Sequence, residues 1–435
     1  MSIKFKDILV VGFALFAMFF GAGNLIFPPY LGVLAGTQWF SGFFAFLFAD
    51  GGLALLGVIA MTKVEGDMPK LFTRAGKNIG VVIGTIMVLC IGPFVAIPRT
   101  SATTYEIGIL PTIGDGFSPI IFSIIFFAIV LFLSIKPSKV VDIVGAVLTP
   151  ALLICLAVLI IKGSVSPLGE VMDRTLIDNV FVRGISDGYQ TMDAMAACIF
   201  AGIIITSIQQ KGYSDKKAMT KATIMSGLVA FVGLALVYGG LAYLGATVSG
   251  TYDASVNRTD LIVDITSGIL GGPGKVILAV IVGLACLTTA IGLVSSCSSY
   301  FNELSKGKLK YEINVAIVCV FSAFVSNFGV EQIIAIAGPL LGMVYPAVVV
   351  YIILGLFNNK ISNNNIFRIS IWVALILGIL FSLSGVPGLT NIEALQNLTN
   401  SMNSWPGGQF GFFWIVPVII AGIIGKFIPN KAKAI

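Results

Sequence analysis

Polar residues cut this chain into long apolar runs. A helix that crosses a bilayer needs ~20 predominantly apolar residues. Runs of that order lie near 8–34, 38–62, 79–108, 118–135, 141–162, 184–209, 219–247, 276–303, 311–327, 329–356, 366–385 and 408–428. The pattern predicts an all-α membrane protein of about twelve transmembrane helices in one domain over residues 1–435. The first run exceeds the ~7–15 residues of a secretory h-region, so it is expected to remain as a span.

Composition sharpens the class. Of the 435 residues 57% are hydrophobic and 11% charged, where a soluble domain carries roughly 25% charged residues. The lipid bilayer is therefore the surrounding solvent. Basic residues set the orientation. With both ends of the chain on one side, that side receives Lys4, Lys6, Lys63, Lys70, Arg74, Lys77, Lys136, Lys139, Lys211, Lys216, Lys217, Lys221, Lys306, Lys308, Lys310, Lys360, Arg368, Lys426, Lys431 and Lys433. The other side receives only Lys162, Arg174, Arg183, Arg258 and Lys275, and Arg99 falls within the membrane. The positive-inside rule then predicts cytoplasmic N- and C-termini. It also accounts for the net charge of +6 without nucleic acid. No obligate protein partner is evident.

Two spans are poor helices in their middles. Span 1 contains Gly21-Ala22-Gly23-Asn24 and then Pro28-Pro29. Span 6 contains Gly188-Tyr189-Gln190-Thr191-Met192-Asp193-Ala194-Met195-Ala196. Opened backbone is tolerated at membrane depth only where it lines a protein cavity. The two interruptions lie five spans apart and their spans start on opposite sides. They predict a 5+5 inverted repeat, about 8–162 and 184–356, with additional helices over 366–428. Paired broken helices of this kind mark the binding sites of secondary transporters.

Four motifs carry a resemblance. Phe20-Gly-Ala-Gly-Asn-Leu-Ile-Phe-Pro-Pro-Tyr-Leu-Gly32, Gly92-Pro-Phe-Val-Ala-Ile-Pro-Arg-Thr100, Gly188-Tyr-Gln-Thr-Met-Asp-Ala194 and Leu284-Ala-Cys-Leu-Thr-Thr-Ala-Ile-Gly-Leu293 resemble bacterial branched-chain amino acid:cation symporters of the BrnQ (LIVCS) type. The resemblance runs from about Phe5 to Lys426. It implies a LeuT/APC-type fold in a bacterial plasma membrane, and uptake of L-leucine, L-isoleucine and L-valine coupled to sodium. It also implies Na+ as coupling ion, with no organic cofactor. In that fold a sodium site joins carbonyls of span 1 to hydroxyls of span 8. The matching positions here are the carbonyls of Ala17, Phe20 and Ala285 and the hydroxyls of Thr288 and Thr289. Without the resemblance, the plain reading of two adjacent threonines is hydroxyl bonding to their own i−4 carbonyls.

A zwitterionic amino acid needs donors for its carboxylate, acceptors for its ammonium and an apolar pocket. A half-helix N-terminus offers free N–H groups and a favourable dipole. In span 1 these belong to Ala22, Gly23 and Asn24, and Gly21 with Gly23 permits close approach. Carbonyls around Ala17 to Phe20, and around Thr191 and Met192, are candidate acceptors for the ammonium. The span 6 run from Gln190 to Ala194 is expected to complete the site. Glycine packing between helices is the bland alternative.

Intramembrane ionisable residues are costly and point to function. Asp193 reads either as a receptor for ammonium, proton or cation, or as an N-cap of the second half of span 6. Asp50 reads as gating or packing rather than as a ligand. Arg99 and Glu106, two turns apart on span 3, read as an outer gate, a structural ion pair, or side chains snorkelling to the outer interface. Gly338-Pro339 reads as a hinge in span 10. The chain has no histidine, its six cysteines read as packing residues, and no metal cluster or nucleophile–base pair is evident. An enzyme ranks low on those grounds, as does a channel, which would repeat a pore signature about an axis. A proton-driven symporter, or one for another small apolar amino acid, remains the main rival.

Overall fold

A computed structural model describes residues 4–114, 116–136, 144–386, 389 and 392–429. Lys139, Lys431 and Lys433, and the predicted start of span 5 at 141, lie outside the described residues. The helices follow the predicted order. Span 1 is Phe5–Phe19 followed by Ala22–Ala35. Span 2 runs Trp39–Leu47 and Leu53–Thr62 through a widened turn at Phe48–Gly52. Span 3 is Lys77–Leu89 and Ala96–Thr104, span 4 Pro119–Ser134, and span 5 Thr149–Val165. Span 6 is Val180–Thr191 followed by Asp193–Gln210, and span 7 is Lys216–Ala246. Gly274–Leu304, Tyr311–Val325, Val330–Leu356, Asn364–Leu383 and Ile415–Phe427 form spans 8 to 12. Among the described residues, nine helical runs are long and apolar enough to cross a membrane.

Two expectations are corrected by backbone chemistry. Pro28 and Pro29 do not extend the opening in span 1 but lie inside the helix Ala22–Ala35. Each lacks an N–H, so each leaves a carbonyl one turn earlier without its helical partner. Span 12 begins at Ile415 rather than 408, because Gly407 and Gly411 take φ of 82° and 74° and turn the chain there. An amphipathic helix, Arg258–Leu270, also forms between spans 7 and 8, where the sequence reading placed a loop.

Burial sorts the spans. Every residue of Ala22–Ala35 is buried, as expected of a helix enclosed on all sides. By contrast Ile120, Ile121, Ile124 and Phe132 on span 4, and Ile419, Ile420 and Ile423 on span 12, are exposed. These rows of exposed aliphatic side chains are the faces a bilayer would cover. The six cysteines are free thiols, five of them buried.

Spans 1 and 7 cross at backbone contact. A Cβ on Gly245 would collide with the Pro29 carbonyl, and one on Gly32 with the Ala242 carbonyl. Small residues are what allow such an approach. Gly245→Val should therefore lower the melting temperature in detergent by several degrees or abolish a monodisperse elution peak. Overpacking of this kind costs about 1–3 kcal/mol or more. Gly283→Ala on span 8, where an added Cβ meets nothing within 4 Å, should leave both unchanged. Equal melting of the two variants would contradict this account of the crossing.

Candidate functional site

The sequence of each interrupted span decides how it breaks. In span 1 the helix stops at Phe19, Gly21 is extended, and the helix resumes at Ala22. Gly21 is required by its neighbour, since a Cβ there would sit 2.9 Å from Thr289 Oγ1. Its N–H is not lost, for it donates to Asn24 Oδ1 at 3.2 Å. In span 6 a single residue makes the break. Met192 adopts a left-handed φ of 71°, which costs a non-glycine residue roughly 1–2 kcal/mol. The first N–H groups of a helix have no intrahelical acceptor, so Ala22 and Gly23 present theirs at the first break.

A buried polar cluster joins the two breaks. Asn24 Nδ2 donates to Asp193 Oδ2 at 2.9 Å and also to the Tyr238 hydroxyl of span 7. Thr191 Oγ1 donates to Asp50 Oδ1 at 2.6 Å and to the Gly188 carbonyl. Asp50 lies in the widened turn of span 2, is wholly buried, and its Oδ2 has no partner. Asp50 and Asp193 thus belong to one buried cluster, held through Thr191 and Asn24 respectively. The N-cap reading of Asp193 is thereby corrected. Met192 holds the position ahead of the second half-helix, and the Asp193 carboxylate turns to Asn24 instead.

Span 3 is broken as well, which sequence reasoning missed. Gly92 has φ −96° and ψ −127°, Pro93 follows, and the helix restarts at Ala96. The adjacent Gly-Pro pair was the available signal. This break carries Arg99 into the site, where Nη1 donates to the Gln190 carbonyl at 2.9 Å. The expected pairing of Arg99 with Glu106 does not form. Glu106 Oε1 instead accepts the Val330 N–H at 2.9 Å, at the start of span 10. Tyr238 was also missed. A tyrosine in a long apolar helix gives no local signal of a polar partner.

Span 8 meets the first break through its threonines. Thr288 Oγ1 lies 2.9 Å from the Ala17 carbonyl, 2.9 Å from Leu284 O and 3.0 Å from Ala285 O. Thr289 Oγ1 lies 3.2 Å from the same Ala17 carbonyl. Phe20 ends this turn, with its N–H on the Phe16 carbonyl at 2.7 Å. The i−4 bond of a plain membrane threonine is present at Thr288, but so is the contact across to span 1. Such a set of neutral oxygens suits a hard monovalent cation. Among the described residues no group of three His, Cys, Asp or Glu could hold a metal ion.

The breaks enclose a small cavity of about 20 Å³, little above the ~10–15 Å³ that one water needs. Gly21, Ala22, Asn24, Arg99, Thr191, Met192, Asp193 and Thr289 give it a polar wall. Met18, Phe19, Ile91, Ala96, Ala196, Phe200 and Leu293 give it an apolar one. Gln190 reaches the site by its carbonyl, and Ala194 is buried in the turn that follows Met192. Toward one end of the molecule the way is shut. Tyr30 donates to the Ala254 carbonyl, Arg258 lies over the Tyr30 and Phe27 rings and pairs with Glu331, and Arg183 pairs with Asp187. At the other end a vestibule of about 880 Å³ opens along Cys198 to Gln210 of span 6 and Ser296 to Leu304 of span 8. Glu65 stands at its rim, paired with Lys216 at 2.6 Å, which holds its carboxyl below the usual carboxylate range.

Long apolar helices broken around a polar cavity define an all-helical membrane transporter. The architecture matches solved transporters at low identity. MhsT in complex with L-phenylalanine superposes with a TM-score of 0.56 at 16% identity, over 86% of this chain and 98% of that one. Mhp1, a nucleobase-cation-symport-1 family transporter, gives 0.54 at 15%, over 98% and 94%. These likenesses establish the LeuT-type fold. Residues 4–432 match the branched-chain amino acid transport protein family, and the chain belongs to that family. It is thus a multi-pass membrane transport protein and not an enzyme. The branched-chain amino acid permease BraB of Bacillus subtilis is 37% identical over 98% of this chain and 96% of its own length. The branched-chain amino acid transport system 2 carrier protein of Pseudomonas aeruginosa is 36% identical, over 97% and 96%. BrnQ of Escherichia coli is 33% identical, over 97% and 95%.

The Thr191–Asp50 bond makes a measurable claim. Thr191→Val should destabilise the protein by about 1–3 kcal/mol, because it strips the donor from a buried carboxylate oxygen. In an Asp50→Asn background the same substitution should cost clearly less. A double-mutant cycle by thermal unfolding checks this, and additive effects would refute it.

Proposed function

We propose that the protein imports L-leucine, L-isoleucine and L-valine across a bacterial plasma membrane, coupled to Na+, by alternating access. The observation that carries the reading is the convergence of two broken helices and Thr289 on one cavity with an apolar wall, with Thr288 beside it on the Ala17 carbonyl. The names of the relatives supply the substrate class. The two interrupted helices begin the inverted repeats, about 8–162 and 184–356, with spans 11 and 12 added. Both termini are cytoplasmic, so the vestibule faces the cell interior and the Arg258–Glu331 end faces outward.

In this reading the N–H groups of Ala22 and Gly23 receive the substrate carboxylate. The ammonium goes to Asp193 and to carbonyls of the span 6 turn. Sodium is held by the carbonyls of Ala17, Phe20 and Ala285 and the hydroxyls of Thr288 and Thr289. Sodium would fix the end of the first half of span 1, next to Gly21. Ordering that turn also orders the N–H groups that bind substrate, and this is the physical basis of coupling. The cavity is too small for leucine as it stands, so loading requires its walls to part. A second reading, proton coupling, is favoured by the two carboxylates, Asp50 and Asp193, buried in one cluster.

Uptake of radiolabelled leucine into proteoliposomes tests the assignment. Thr288→Ala with Thr289→Ala should raise the sodium concentration for half-maximal uptake at least tenfold, with leucine uptake falling at fixed sodium. Unchanged uptake with unchanged sodium dependence would overturn the sodium site. Uptake driven by an inward proton gradient in sodium-free medium would replace sodium with protons.

A further inference from the structure

Arg99 is a charge buried at membrane depth, 3% exposed, with no carboxylate within 4.0 Å among the described residues. Its Nη1 is satisfied by the Gln190 carbonyl, which is neutral, and its Nε has no partner. A guanidinium removed from water is costly unless it is paired and its donors are filled. The arginine is therefore incomplete as it stands.

Its position shows what would complete it. The restart of span 3 at Ala96 aims the side chain at the start of the second half of span 1. A Cβ on Gly23 would lie 3.0 Å from Nη2. The missing side chain at Gly23 thus gives the guanidinium access to the place where the free N–H groups of Ala22 and Gly23 converge. Two independent sources of positive potential, a half-helix N-terminus and a fixed cation, meet on one wall of the cavity. Asp193 lies on the same cavity and supplies the opposite charge. The apolar residues Met18, Ile91 and Phe200 lie beyond them.

We propose that Arg99 binds the carboxylate of the transported amino acid and thereby selects α-amino acids over amines and amides of the same side chain. The inference rests on the proposed transport function and adds a residue that the backbone N–H groups alone do not supply. A planar guanidinium can donate two parallel N–H bonds to a carboxylate, which an amide cannot accept in the same way. The plain alternative is that Arg99 only braces span 6 through Gln190. In that case its loss would harm every ligand equally.

Binding is read as ligand-induced stabilisation of the purified protein, so that a variant unable to transport still reports. Wild-type protein should bind L-leucine at least about thirtyfold more tightly than L-leucinamide, the scale of a lost charged hydrogen-bonding partner. Arg99→Gln should weaken leucine by a similar factor while changing leucinamide less than about threefold, and Arg99→Lys should recover part of the loss. Equal wild-type affinity for leucine and leucinamide would overturn the proposal, and this comparison needs no variant to fold. Equal weakening of both ligands in Arg99→Gln would also overturn it in favour of the bracing role. If the wild-type protein binds a different amino acid and not leucine, the transport reading falls. The same comparison of that acid with its amide then still decides the role of Arg99.

Discussion

Every feature of the site follows from one constraint: peptide groups opened inside a membrane must find partners within the protein. Three spans break helical pairing around one cavity, and side chains answer the groups freed in spans 1 and 6. Asn24 reaches back to the Gly21 N–H with its oxygen and across to Asp193 and Tyr238 with its nitrogen. Thr191 folds its hydroxyl between Gly188 and Asp50. Arg99 takes the Gln190 carbonyl. The same few side chains that satisfy one break thus tether it to another, and the cavity is what remains between them.

The two ends of the molecule differ in kind. One is sealed by aromatic rings, stacked guanidinium groups and ion pairs with partly exposed members. The other is a broad opening lined in part by hydroxyls and small residues of spans 6 and 8. Glu331 of the Arg258–Glu331 pair is exposed, and an exposed ion pair contributes little to stability, typically below about 1 kcal/mol. Such a pair can be released without dismantling the core. The deeper contacts around Asp50 and Asn24 are buried and belong to the polar cluster between the breaks.

Much of this was legible in the chain. Apolar run length gave the order of the spans, and the Gly-Ala-Gly-Asn and Gln-Thr-Met-Asp stretches marked two of the breaks. What escaped was what depends on three-dimensional partners. The left-handed turn falls on Met192, whose type gives no hint of it. Pro28 and Pro29 looked like part of an opening, yet the enclosing spans keep that half-helix intact. Arg99 and Glu106 share a helical face only if the turns between them are regular, and the helix widens at Tyr105–Ile109, with Arg99 on the Gln190 carbonyl and Glu106 on the Val330 N–H instead. The bond from Thr191 to Asp50 was not legible, because the two residues are remote in sequence.

The crossing of spans 1 and 7 carries a consequence for motion. With Gly245 seated on Pro29 and Gly32 on Ala242, these two rods interlock like cogs and leave no slack for sliding. Any tilt of Ala22–Ala35 must drag Tyr238 along, since it stands on the same interlocked rod. The phenol therefore travels with the Asn24 amide it contacts, and the pair would swing as a single arm against Asp193.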